Sequence, residues 1–172
     1  MQTSSIKVIV TVILIVCSGS VLAQTTATAS ANASIVAPIT MSKTVDMNFG
    51  NAAVSVSTGG SVTLAPTSAR TTTGGGVTLP ASTGTVSAAI FTVSGAPGYT
   101  YTITLPASAV INGPGTATMT VNSFTSIPSS TGTLSSGGTQ SLAVGATLNV
   151  APAQAAGIYT NASALPVTVN YN

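Results

Sequence analysis

The sequence predicts an all-β protein, an antiparallel sandwich or barrel, on three observations. After an apolar leader, no stretch of useful length carries a helical period. Short runs rich in β-branched and aromatic residues alternate apolar with polar side chains, which is how a strand presents two different faces. Clusters such as "STGG", "TTTGGG", "SGAPG", "INGPG" and "SSGG" separate these runs at regular intervals. Gly supplies the positive φ and Pro the fixed φ that such turns require.

The first element is the leader. Residues 1–23 hold one positive charge, Lys7, an apolar run from Val8 to Cys17, and then "SGSVLA". That is the layout of a signal peptide cut after Ala23. About ten apolar residues fall short of the roughly twenty that span a bilayer, so the mature chain is expected to be exported without a membrane span. Cys17 admits a second reading, a lipid-anchored N-terminus, although the bulky Val16 before it suits that processing poorly. Beyond the leader there is no cysteine, so an exported chain leans on no disulfide.

The next element is an alternating stretch that is too long. In "ATASANASIVAPITM" the apolar positions are Ala27, Ala29, Ala31, Ala33, Ile35, Ala37, Ile39 and Met41, and the series continues through Val45, Met47 and Phe49. One strand of that length would extend roughly 75 Å at about 3.3 Å per residue, far beyond the usual five or six residues. Lys43 interrupts the inward series, where an unpaired charge is costly to bury. Either the chain turns at Ser42-Lys43-Thr44, or the lysine lies at an edge and reaches water. Both readings divide the stretch into an arm, residues 24–42, and a body, residues 43–172.

In the body the expected strands are "TVDMNFG", "GSVTLAP", "GGVTLP", "SAAIFTVSG", "YTYTITLP", "TATMTVNSFT", "SLAVGATLNVA" and "LPVTVNYN". In "YTYTITLP", Tyr99, Tyr101, Ile103 and Leu105 take one face and Thr100, Thr102 and Thr104 the other, the pattern of a half-buried antiparallel strand. The chain ends on "GIYTNASALPVTVNYN", and a last strand without a following partner leaves an edge that proteins normally protect.

The missing chemistry is informative. The chain has no histidine and one carboxylate, Asp46; the ionised side chains after the leader are Lys43, Asp46 and Arg70. One acid cannot form the carboxylate pair of a glycosidase, and a serine nucleophile has no positioned base beyond a lone lysine. Transition metals want His, Cys or clustered carboxylates, and calcium several acids. No basic patch suits nucleic acid. The expectation is a non-enzyme without cofactor or metal. A surface nearly free of charge also lacks the repulsion that keeps proteins apart, which suits a component of an assembly.

The arm has the character of a strand donated to the edge of another chain, where main-chain hydrogen bonds supply affinity and alternate side chains supply register. The plain alternative is a loose tail beside an ordinary edge strand. Rows such as Thr100-Thr102-Thr104 and Thr116-Thr118-Thr120 also raise a surface-binding role, but threonine rows are commonly the wet face of a sandwich.

Together the two ends resemble a known group. "SIVAPITMSKTVDMNFG" is similar to the start of chaperone–usher pilins, and "GIYTNASALPVTVNYN", with Gly157 before it and penultimate Tyr171, resembles their last strand. The chain as a whole resembles the bacterial pilin-like family catalogued as domain of unknown function 4402, through "VAPITMSKTVDMNFG", "AAIFTVSGAPGYTYTITLP", "TMTVNSFT", "LAVGATLNV" and the C-terminal block. The resemblance implies an immunoglobulin-like antiparallel β-sandwich, incomplete and completed by a donated strand. It implies donor-strand positions at Ala27, Ala29, Ala31, Ala33 and Ile35, and an acceptor edge at Leu165, Val167, Val169 and Tyr171, with Tyr171 also contacting a chaperone. Its partners would be copies of itself in a polymer, a periplasmic chaperone and an outer-membrane usher, and its place the surface of a bacterium with an outer membrane. The absence of a cysteine after the leader departs from chaperone–usher pilins, which carry a disulfide near the first strand. The alternative is a monomeric secreted or surface-attached adhesion module whose arm folds back onto its own edge.

Overall fold

A computed structural model describes residues 24–172; the signal-peptide reading lies outside them. Among the described residues there are twelve strands and no helix: β1 Thr40–Val45, β2 Ala53–Val54, β3 Gly60–Leu64, β4 Arg70–Thr73, β5 Val77–Thr78, β6 Ala89–Ser94, β7 Thr100–Thr104, β8 Ser108–Asn112, β9 Thr118–Ile127, β10 Thr131–Thr133, β11 Thr139–Val150 and β12 Thr168–Tyr171. The fold is all-β and sandwich-like, as the alternation predicts.

The organising element is β11, "TQSLAVGATLNV". One of its edges pairs first with β6, through Thr139–Val144, and then with β3, through Ala146–Val150. Its other edge takes β9. β1 extends the sheet beyond β6, β4 beyond β3, and β8 beyond β9, all antiparallel. The hinge between the two halves of β11 is Gly145. A Cβ there would lie 2.2 Å from the Leu64 carbonyl oxygen and 2.7 Å from backbone atoms of Ala65 and Pro66. Because those neighbours are main chain, they cannot rotate aside. Gly145→Ala is therefore expected to cost about 1–3 kcal/mol, the range for overpacking, readable as a lowered urea midpoint.

A second, three-stranded sheet runs β10-β7-β12. Between it and the first half of the large sheet lies one core cluster, in which Phe91 and Val93 of β6 and Leu142 and Val144 of β11 meet Tyr101 and Ile103 of β7 and Leu134. Tyr101 is fully buried, and its hydroxyl donates to Gln140 Oε1 at 2.7 Å. Thr100, Thr102 and Thr104 face outward beside Thr131 and Thr133 of β10 and Thr168 and Asn170 of β12, so the threonine row belongs to a wet outer face. A second cluster sits under the other half, with Val62, Val77, Val121, Ala146, Leu148 and Val150. No residue of β7, β10 or β12 belongs to it.

Lys43 does not mark a turn. β1 passes through it without a break and carries a register shift between Lys43 and Val45, the local irregularity of a bulge. The lysine lies on an edge strand, about half exposed, and pairs with Asp46, so water and one counter-charge satisfy it. The compact body begins at Val36; Val36–Ser42, read from the sequence as arm, belong to it. The segment "DMNFG" forms no strand and makes one bridge, Asn48 to Ser87.

Candidate functional site

The second core cluster is buried under Met47, Phe49, Val54 and Leu79, with half-buried Ile111, Met119 and Phe124 beside it. Above it opens a groove of about 1120 Å³, whose floor includes Phe91, Met119, Val121, Phe124, Leu148 and Val150. Its N-terminal wall is the stretch from Lys43 to Val54, and its C-terminal wall runs from Gln154 to Leu165. Sandwich interiors normally pack as densely as crystals of small molecules. A trough this size leaves Ile111, Met119 and Phe124 only half-buried at its base, over the buried Val121 and Leu148.

Both walls are held from outside rather than by each other. Arg70 of β4 donates through Nη1 to the carbonyls of Phe49 and Asn51, at 2.6 and 3.0 Å, fixing the N-terminal wall to the large sheet. On the other side Gln154 donates to the Thr118 carbonyl and to the Tyr159 hydroxyl, which in turn donates to Ala155. Asn161 Nδ2 donates to the Val110 carbonyl at 2.7 Å, and Thr160 bridges Asn112. Gly113 lies directly beneath the Tyr159 ring, where a Cβ would come within 2.2 Å of it. Each wall thus spends its side chains on its own half of the molecule and leaves the space between open.

Away from the groove, the two outer strands of the first core cluster come together. β12 pairs with β7 on one edge, and its other edge has no ladder partner. β1 is likewise the outermost strand of the large sheet. The Tyr171 hydroxyl at the end of β12 donates to the Ala37 carbonyl at 3.0 Å, just ahead of β1. The same oxygen accepts from the Ala96 amide at 2.6 Å, and the Tyr99 ring stands edge-on at 5.6 Å between centroids. Two strands that are outermost among the described residues, β1 and β12, are thus tied by one hydrogen bond between Tyr171 and Ala37.

Of the residues expected at an acceptor edge, Leu165 lines the groove. All four, Leu165, Val167, Val169 and Tyr171, pack against the first core cluster; β12 is confined to Thr168–Tyr171, and the preceding stretch forms no strand. The continuous alternation from Tyr159 to Tyr171 is thus a short strand preceded by an irregular wall. Ala27, Ala29, Ala31, Ala33 and Ile35 are exposed and form no strand, with Ile35 at 97% exposure. The floor residues were legible as core, from their alternation along β6, β9 and β11, but nothing local marks them as uncovered.

The chemistry available in the groove is apolar contact and hydrogen bonding, from main chain and from uncharged side chains such as Asn48, Asn51, Gln154 and Asn161. Lys43 and Asp46 at its edge neutralise each other. No group of three or more His, Cys, Asp or Glu side chains occurs among the described residues. The titrating group with a displaced pKa is Tyr101, pushed up by burial, and it lies in the closed core. Residues 39–171 match the family model described as a domain of unknown function (DUF4402). No curated protein and no solved structure matches the chain.

Proposed function

The chain belongs to the family of the domain of unknown function (DUF4402), and from that premise and its open groove we propose that it is a structural, non-catalytic subunit of an extracellular filament. The groove accepts a strand from the next subunit, and residues 24–35 are the strand that each subunit donates. The observation that carries the reading is the open apolar trough: half-buried Ile111, Met119 and Phe124 at its base, between two walls that do not pair with each other among the described residues. The arm supports it from the other side. Its alternate residues Ala27, Ala29, Ala31 and Ala33 are small enough for a narrow trough, and Ile35 supplies one larger plug.

Energetics favour this only because the acceptor is incomplete. A donated strand gains about 1 kcal/mol net per hydrogen bond and gives up about 1 kcal/mol or more per ordered residue. A strand on an already complete sheet edge would come out near even. Covering exposed apolar floor adds about 25 cal/mol per Å², and that surplus drives assembly. Export through residues 1–23, delivery by a periplasmic chaperone and an outer-membrane usher, and a place on the bacterial surface complete the proposal.

The test compares residues 24–172 with a version lacking 24–35, both run unboiled on a denaturing gel and viewed by negative-stain microscopy. We expect a ladder and filaments from the first and monomers from the second. Stable monomers from both sink the reading. A monomer that loses stability when its arm is removed favours instead a self-complementing adhesion module.

A further inference from the structure

We propose that Asn112-Gly113 is a self-modifying site, and that its conversion to isoaspartate unfastens the C-terminal wall of the groove. The inference does not depend on what the groove accepts. Asn112 is the one asparagine in the sequence that glycine follows. Glycine has no Cβ to shield its amide nitrogen or restrict its backbone, so that nitrogen can close on the neighbouring carboxamide carbon. Asn112 is exposed at the end of β8, and among the described residues its carboxamide makes no hydrogen bond. Asn161 in the facing wall is tied at both ends instead: Nδ2 donates to the Val110 carbonyl, and Oδ1 accepts from the Ser163 amide.

The chemistry needs only water. The Gly113 nitrogen loses its proton to solvent and attacks Asn112 Cγ. A C–N bond forms, and the carboxamide nitrogen takes a proton from solvent and leaves as ammonia. Water then opens the five-membered imide. Opening at the side-chain carbonyl gives aspartate. Opening at the main-chain carbonyl gives isoaspartate, in which the backbone runs through Cβ and the former main-chain carbonyl is a free carboxylate. The restraint on this step is the Gly113 N–H, which donates to the Ala117 carbonyl at 2.8 Å. That bond borders the turn at the end of the β8–β9 hairpin, where local opening costs least.

Isoaspartate falls where the wall is fastened. The Asn112 amide donates to the Thr160 carbonyl at 3.1 Å, and the Asn112 carbonyl accepts from the Thr160 amide at 2.9 Å. In the isoaspartyl form that carbonyl has left the main chain, so the second bond is lost. The added methylene also shifts Gly113 and Pro114, on which the wall is closely packed. A Cβ on Gly113 would come within 2.2 Å of the Tyr159 ring, and one on Gly157 within 2.3 Å of Pro114. Displacing Tyr159 in turn releases its hydroxyl from Gln154.

The experiment uses the chain lacking residues 24–35, whose compact body begins at Val36 and whose groove has no arm to fill it. It is aged in warm, mildly alkaline buffer beside a synthetic peptide of residues 108–117. Peptide mapping by mass spectrometry, with an isoaspartate-specific methyltransferase as label, is expected to find residue 112 converted ahead of every other asparagine. A chain unmodified at 112 once the peptide has fully converted overturns the proposal, as does earlier conversion elsewhere. Amide exchange then reads the wall, on the aged form separated by its added negative charge. Its Thr160 amide is expected to exchange about tenfold faster than in the fresh chain, the scale of one lost hydrogen bond. Asn112→Asp adds the charge but keeps the main chain, and is expected to exchange like the fresh chain. Equal protection in aged and fresh chains, or an equal loss in Asn112→Asp, overturns the unfastening.

Discussion

A chain carrying a second copy of residues 24–35, joined after Asn172 through a short Gly-rich linker, is expected to melt about 10–20 °C above the monomeric chain that lacks residues 24–35. The graft places a donor strand beside β12 without a bimolecular cost, since the linker raises the effective concentration of the strand at the groove. β12 ends at Tyr171, so a strand returning from Asn172 runs antiparallel to β12 and back toward Leu165 and the groove. Covering on the order of 200 Å² of apolar floor is worth about 5 kcal/mol at about 25 cal/mol per Å². For a chain of this size each kcal/mol moves the midpoint by about 2–4 °C. The same graft with Asp at the copies of Ala29, Ala31 and Ala33 would bury charge against Phe91 and Phe124, and no gain is expected. Differential scanning calorimetry reads both. A grafted chain that melts where the chain lacking residues 24–35 does would show that the groove does not take the arm. The grafted chain is also expected to leave no ladder on an unboiled gel, because its acceptor is already filled.

The second large effect lies in the closed core. Tyr101 is fully buried among Phe91, Val93, Ile103 and Leu134, and Gly132 of β10 lets its ring lie flat, with 2.3 Å from a would-be Cβ to the ring. Tyr101→Ala is expected to cost about 3–5 kcal/mol, the range for emptying an aromatic site, measured by urea unfolding. Tyr101→Phe is expected to cost far less, about 1 kcal/mol. Gln140 Oε1, which accepts the tyrosine proton, keeps the Thr133 amide as a donor at 2.9 Å, so no polar atom is left without a partner. The same residue sets an alkaline limit. Burial raises its pKa above the ordinary value of 10.0, so the folded state holds the neutral form where the unfolded chain ionises. Its contribution is complete below about pH 10 and falls as pH rises beyond that. Unfolding midpoints that drop above pH 10 in the parent, and drop less in Tyr101→Phe, are the expected pair of results.

These two effects separate what was visible in the chain from what was not. Tyr101 and Ile103 were assigned to a buried face from "YTYTITLP" alone, and β3, β6, β7, β9 and β11 lie where their alternation put them. β4, "RTTT", escaped notice because it is a polar edge strand with three exposed threonines and buries nothing that would create a pattern. β10, "TGT", contains a glycine that ordinarily signals a turn and here makes room for the Tyr101 ring. β8 was hidden because "SAVIN" runs straight into the turn residues that follow it. At the ends of the chain the alternation continues where the strands do not: "DMNFG" and the stretch from Tyr159 to Leu165 are periodic yet irregular in backbone. A period of two fixes which face a side chain would take, but a ladder also needs a neighbour.

The sequence by itself determined that the protein is all-β, which face each central strand buries, and that little but main-chain and apolar chemistry is available. Those are local properties, since the direction of a side chain follows from the pleat of its own strand. The tertiary structure alone decided that β11 serves two neighbours along one edge, that the small sheet covers only the first core cluster, and that Tyr171 reaches Ala37. Leu148 reads as core in any alternation; that it lies at the base of a trough depends on Val62 and Val121 flanking it and on the walls 43–54 and 154–165 standing apart. Such a gap comes from pairings between residues scores of positions apart, and no local pattern encodes it.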